Sequence, residues 1–197
     1  MPSTQPPNKI AEIQNVAAKL FASQGYHSTS IREIAGVLGI NQATLYHYFK
    51  SKEEILFQLI NGALDDAYKT LIEIRKADLP PVDRIKRVLR FYTQHYAGDQ
   101  ERLILAVNER ESLSKDHQRV LVDKERQYVL LFNEMFKELI AARKMKDIPP
   151  SVATFAFFGM VLHTINWYHK DGLINLDQLA DLFCDIFMGG ILKEPVQ

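Results

Sequence analysis

Apolar residues recur along this chain at intervals of three and four, and no segment sustains the strict alternation of a half-buried strand. That period belongs to amphipathic helices, so the pattern predicts an all-α protein. A first helix, about Asn8 to Ser23, follows Pro6-Pro7 and turns Ile10, Ile13, Ala17, Leu20 and Phe21 to one side before Gly25 ends it. Ser30 with Glu33 three residues later forms a capping box for a helix to about Leu38, whose Ile31, Ile34, Ala35 and Leu38 share a face. Gly39 stops that helix, and Asn41 caps another from Gln42 to about Phe49. A long helix starting near Ser51 carries Leu56, Leu59, Ile60, Ala63, Leu64, Ala67, Leu71 and Ile74 on one face and stops before Pro80-Pro81.

Beyond the prolines, Val82 to Tyr96 reads as a helix, Gly98 breaks it, and Asp99 caps the next to about Leu113. Ser114 opens a long helix to about Lys144, in which Tyr128, Leu131/Phe132, Met135/Phe136 and Leu139/Ile140 recur at helical spacing. Pro149-Pro150 closes it. Two strongly apolar helices, about Ser151 to His169 and Leu176 to Leu192, flank the turn Lys170-Asp171-Gly172, which brings the expected total to about nine. The short second and third helices, joined by a tight turn containing glycine, form a helix-turn-helix, in which the second helix of the pair enters the major groove of DNA. The expected organisation is a head, residues 1–52, on a larger helical body, residues 53–197.

The same stretch carries a family resemblance. Ile13, Ala17, Ala18, Leu20, Phe21, then Gly25-Tyr26, Thr29-Ser30, Ile34-Ala35, Leu38-Gly39-Ile40, Leu45-Tyr46, Tyr48-Phe49 and Ser51-Lys52-Glu53 resemble the TetR (AcrR-type) transcriptional repressors over about a quarter of the chain. The resemblance implies a repressor that holds a palindromic operator as a homodimer and is released by a small effector. The ending HTINWYHKDGLINLDQLADLFCDIFMGGI is similar to TetR relatives that regulate fatty-acid or other acyl-CoA degradation, which makes an acyl-CoA the expected effector and a hydrophobic or aromatic drug the alternative.

Charge changes this picture little. The 24 Lys/Arg and 24 Asp/Glu cancel overall, while residues 1–52 hold five cations (Lys9, Lys19, Arg32, Lys50, Lys52) against two acids (Glu12, Glu33), the asymmetry expected of an anion-binding head. The single Cys184 excludes an intrachain disulfide framework and suits a reducing cytoplasm, where it reads as a small buried hydrophobe. The N-terminal stretch MPSTQPPNK lacks a basic region followed by an apolar one and reads as a loose tail rather than a secretory signal. Val152 to Trp167 is too short and too polar to cross a bilayer, so a cytoplasmic bacterial or archaeal protein with no membrane partner is expected. There is no HExxH, Gly-rich phosphate loop, G-x-S-x-G or CxxC; His163 with His169, or Glu109 with Glu111, give no catalytic arrangement, and neither an enzyme nor a metal or other cofactor is expected. A helical adaptor without DNA binding is the remote alternative.

The third helix presents Gln42, Ala43, Thr44, Tyr46, His47 and Tyr48, with Leu45 and Phe49 holding it from below. Gln42 can pair bidentately with adenine, a contact worth about 1–3 kcal/mol of discrimination, and Ala43 or the Thr44 methyl can touch a thymine methyl. By the resemblance, Thr44, Tyr46, His47 and Lys52 contact phosphates; with Ser30 and Tyr48 these complete the expected DNA-contact set. Two heads about 34–36 Å apart would meet successive major-groove turns, so a dimer is implied. Its expected interface is formed by Phe155, Phe158, Leu162, His163 and Asn166 on one apolar helix and Leu179, Leu182, Phe183, Ile186 and Phe187 on the other. Aromatic and polar residues interleaved on the central helices mark the expected effector site: Phe91, Tyr92, His95, Asn108, Glu109, Tyr128, Phe132, Phe157, Val161 and Thr164. A coenzyme A head would need cations at the mouth, and Arg84, Lys86, Arg87, Arg90, Arg102 and Arg110 are the candidates.

Overall fold

The computed structural model describes residues 9–193; the expected N-terminal tail and Asn8 lie outside the described residues. Within them the chain forms nine α-helices. The head comprises α1 (Lys9–Gln24), α2 (Ile31–Val37) and α3 (Gln42–Tyr48), and α4 (Lys52–Lys76) leads into the body. The body continues with α5 (Pro81–Gly98), α6 (Gln100–Asn108), α7 (Lys115–Ala141), α8 (Pro150–Leu162) and α9 (Leu176–Ile191).

Local chemistry explains why the head breaks where it does. The Glu33 N–H donates to the Ser30 hydroxyl while the Ser30 N–H donates to the Glu33 carboxylate at 2.7 Å, closing a reciprocal cap on α2. Asn41 Oδ1 accepts the Thr44 N–H at 2.7 Å and so starts α3; Ser51 does the same for α4 through the Glu54 N–H at 3.0 Å. Gly25 (φ 88°) and Gly39 (φ 64°) take the left-handed backbone needed to leave α1 and α2.

Two apolar cores result. In the head, Ile13, Ala17, Phe21, Ile34, Leu45 and Phe49 are sealed, and the core runs on through Ile55, Leu56, Leu59 and Ile60 of α4. Three body residues, Leu105, Leu113 and Leu121, complete this same core, so head and body share packing as well as chain. The second core centres on α5, which lies against α4, α7, α8 and α9 and contributes Val88, Leu89 and Tyr92 to an aromatic cluster with Phe132 and Phe157.

Two helices are shorter than their periodicity predicts. From the last residue of α6 the run Asn108-Glu109-Arg110-Glu111-Ser112 offers no apolar residue to bury, and the backbone tightens into a 3-10 turn, Arg110–Ser112, that swings Leu113 into the head core. α8 gives way to a 3-10 turn, His163–Asn166, where the Thr164 hydroxyl donates back to the Val161 carbonyl at 2.6 Å and competes with regular helix pairing. The ends of α7 and α9 are tied by an isolated bridge between Met145 and Leu192.

The candidate DNA-reading head and effector cavity

On α3 the buried and presented faces separate as the helical period dictates. Leu45 is sealed below, while Gln42, Ala43, Tyr46, His47 and Tyr48 stand exposed, the last two with rings edge to face at 5.4 Å. Thr44 is half-buried, and its hydroxyl donates to Asn41 Oδ1 at 2.9 Å. The Ser30 hydroxyl is engaged in its own cap. Hydrogen bonding to Ser30 holds the Glu33 carboxyl below the usual carboxylate range.

Lys52 is not a free cation. Its ammonium donates to the carbonyl oxygens of Tyr26 and Thr29, both at 3.0 Å, and sits 4.3 Å from the centroid of the Tyr26 ring. It therefore clamps the turn between α1 and α2 to the start of α4. Sequence spacing gave no sign of this, because the partners lie 26 and 23 residues away. Lys50 and Arg32, absent from the expected contact set, are exposed as well.

A second set of contacts fastens the head to the body. Glu53 accepts the Ser114 N–H and a His117 Nδ1 contact, each at 2.8 Å, and this pairing lowers its pKa. His117 also stacks on Phe57 at 3.9 Å, and Ser112 meets His27 at 3.0 Å. Glu109, an expected effector residue, belongs to this junction: its carboxylate accepts the Ser112 hydroxyl, and its charge helps raise the Tyr26 pKa after burial and Glu53.

The body holds an apolar cavity of about 500 Å³ bounded by α4 through α8. Leu64, Leu103, Ala106, Val107 and Val129 line it with Tyr92, Tyr96 and Tyr128, and Phe155, Phe158, Gly159 and Leu162 close one side. Its charged groups are Arg110 and Glu125, whose two carboxylate oxygens both accept from Arg110 Nη1, at 3.0 and 2.9 Å. Burial raises the pKa of all three tyrosines, so they stay neutral at any ordinary pH.

Of the ten expected effector residues, Tyr92 and Tyr128 line this cavity. Phe132, Phe157, Val161 and Thr164 are fully buried instead, because the aromatic cluster and the turn after α8 require them there. Asn108 is exposed at the end of α6. His95 faces α4, where its Nε2–H donates to the Ala63 carbonyl at 3.0 Å and burial lowers its pKa. Phe91 lines a separate groove between α4 and α5, together with Lys86, Arg87 and Arg90. Among the six candidate cations only Arg110 reaches the cavity; Arg84, Arg90 and Arg102 pair with Glu138, Asp181 and Asp99.

The expected interface residues divide similarly. Phe155 (59% exposed), His163 and Asn166 on the α8 side, and Leu182 (46%) and Ile186 (64%) on α9, face outward. Leu179, Phe183 and Phe187 turn into the subunit's own core, and Phe158 and Leu162 double as cavity wall. Among the described residues no helix is long and apolar enough to cross a membrane.

A family model described as bacterial regulatory proteins, tetR family, matches residues 13–59, and one described as tetracyclin repressor-like, C-terminal domain, matches residues 78–191. The chain is similar to the HTH-type transcriptional repressor KstR2 of Mycobacterium tuberculosis (24% identical, 96% of each chain), whose solved structure, of a ketosteroid transcriptional regulator, superposes with a TM-score of 0.88 at 23% identity over 98% of this chain and 99% of that one. The fatty acid metabolism regulator protein of Bacillus subtilis is 23% identical over 93% of this chain and 95% of its own. AibR, solved with isovaleryl coenzyme A and operator DNA, is 26% identical with a TM-score of 0.80, covering 91% of this chain and 97% of AibR.

Proposed function

The chain belongs to the TetR family of DNA-binding transcriptional repressors, and from that premise we propose that it grips a palindromic operator as a homodimer and lets go when an acyl-CoA fills the body cavity. The observation that carries this reading is α6, which serves both cores. Its Leu103, Ala106 and Val107 line the cavity, while its Leu105 is sealed into the head core. A ligand that wedges α6 outward must move Leu105 and the 3-10 turn behind it. That turn leads directly to the Ser112–His27 and Ser114–Glu53 contacts on the head. α4 is the second lever, since Leu64 faces the cavity one turn beyond Ile60 in the head core.

The effector class rests on the wall chemistry and on the relatives. An apolar space of this size suits a compact acyl group, and Arg110 is placed to exchange Glu125 for an anionic ligand group. AibR was solved with isovaleryl coenzyme A, and a fatty acid metabolism regulator is among the similar proteins, which favours a coenzyme A thioester over a drug. α8 is apolar all round its circumference, so one side packs inward and the other, with Leu182 and Ile186 of α9, is left for a second copy. Gln42, Ala43, Thr44, Tyr46, His47 and Tyr48 are then the reading surface.

The test is binding to DNA fragments from around the gene's own promoter across a salt series. DNA binding through phosphates predicts a steep negative slope, about −0.9 per neutralised phosphate. A slope near zero would contradict the reading.

A further inference from the structure

The Arg110 and Glu125 side chains on the cavity wall are 33% and 46% exposed, which puts their ion pair at the rim of the space rather than in its depth. The two belong to different segments of the body. Arg110 opens the 3-10 turn after α6, its carbonyl accepting the Leu113 N–H at 3.2 Å, while Glu125 lies within α7. Both segments enter the head core close to the pair: Leu105 and Leu113 flank Arg110 in the chain, Leu121 precedes Glu125 by one helical turn, and all three are sealed there. The same two segments carry polar contacts to the head, from Ser112 to His27 and from Ser114 and His117 to Glu53. The pair therefore joins, on the rim of the cavity, two stretches of the body that hold the head.

We infer that this ion pair is the latch of the switch. Closed, it holds the 3-10 turn to α7 and favours the DNA-binding arrangement of the head; the effector opens it by placing an anion, a carboxylate or a phosphate, on Arg110 in place of Glu125. This rests on the reading that an effector fills the cavity and releases the operator, and it adds what that effector must carry. Among the described residues Arg110 is the one cation lining the cavity, and a guanidinium keeps its charge at any ordinary pH, so an anion on an apolar ligand has a fixed partner to meet. The pair is also easy to open, because an ion pair this exposed is weak and the released Glu125 carboxylate stays in water. A neutral ligand of the same shape offers Arg110 nothing: it fills the apolar space and leaves the latch shut.

The test takes the full chain with Arg110→Gln, Glu125→Gln and both together, and reads operator affinity by anisotropy of a labelled promoter fragment and ligand affinity by calorimetry. With no ligand present, each single variant should bind the operator about fivefold more weakly, the upper worth of such a pair, and the double variant no more weakly than either. Unchanged affinity in either single variant, or losses that add in the double, overturns the latch. The probes share one acyl group: isovaleryl-CoA, isovalerate, and the neutral N-acetylcysteamine thioester of isovaleric acid. Isovaleryl-CoA should bind more tightly to Glu125→Gln and about tenfold more weakly to Arg110→Gln, opposite directions that a mere packing defect would not give. The neutral thioester at saturation should leave the operator bound. Release by it equal to that by isovaleryl-CoA overturns the latch and leaves the acyl-CoA reading intact. If isovalerate alone shows this pattern, the acyl-CoA reading fails and the latch stands. If no probe binds, the acyl-CoA reading fails and the ligand-free affinities decide the latch. Should one single variant not fold, the ligand-free affinity of the other decides.

Discussion

Replacing Lys52 with methionine separates two roles that one side chain could have. The stem is retained by Met, so the change removes the ammonium alone. In the folded head that ammonium donates to the Tyr26 and Thr29 carbonyls, both at 3.0 Å, and lies 4.3 Å from the Tyr26 ring centroid. A hydrogen bond from a charged group contributes about 1.5–3 kcal/mol and a partly exposed cation–π contact about 0.5–1. These do not add, and Lys52 is only half-buried, so a loss of about 2–3 kcal/mol is expected. At about 2–4 °C per kcal/mol for a chain of this size, the melting temperature should fall by about 5–10 °C in a calorimetric scan. If the clamp is the whole role, the salt slope of operator binding stays unchanged. An unaltered melting temperature with a slope shallower by roughly 2 units, one phosphate lost from each of two heads, would refute the clamp and restore the phosphate contact implied by the family resemblance.

Gln42→Ala should leave melting unaltered, because the side chain is exposed, yet weaken operator binding by about 1–3 kcal/mol per half-site and relax discrimination at a single base pair; uniform weakening across sequences in a competition assay would count against base reading. His95 is held neutral by burial, so its folded pKa lies below the unfolded value of about 6.5. The stability this gives is full above about pH 6.5 and drains as pH falls toward the lowered folded value; denaturant titrations should show that decline, and His95→Gln should flatten it. Arg143 occupies a left-handed conformation (φ 56°) just beyond α7, where the Lys144 N–H returns to the Leu139 carbonyl at 2.9 Å. Glycine suits that position, and Arg143→Gly should stabilise by about 0.5–1 kcal/mol, raising the melting temperature by a few degrees.

The head was legible in the sequence because its instructions are local. Ser30 with Glu33, Asn41 with Thr44 and Ser51 with Glu54 each act within three residues, and Gly25 and Gly39 mark both exits. What escaped was long-range. Lys52 over Tyr26, Glu53 on the start of α7 and Leu105 in the head core join residues distant in the chain, and hydrophobic periodicity carries no information about which face meets which. α8 shows the limit most clearly: with apolar residues on every side, its period could not assign Phe155 and Leu162 to cavity, core or outer surface, and Phe158 serves the first two at once. The position of α5 at the centre of the body likewise decided that Phe132 and Phe157 are core while Tyr92, beside them, reaches the cavity.

The central claim is that occupancy of the cavity and grip on DNA are coupled through α6. Fluorescence anisotropy of a labelled promoter fragment, titrated with protein at saturating isovaleryl-CoA and without it, measures that coupling directly. A coupling of about 1–3 kcal/mol predicts operator affinity lowered 5- to 150-fold by the ligand, and the reciprocal loss of ligand affinity when DNA is bound. Tight thioester binding with operator affinity unchanged would contradict the account.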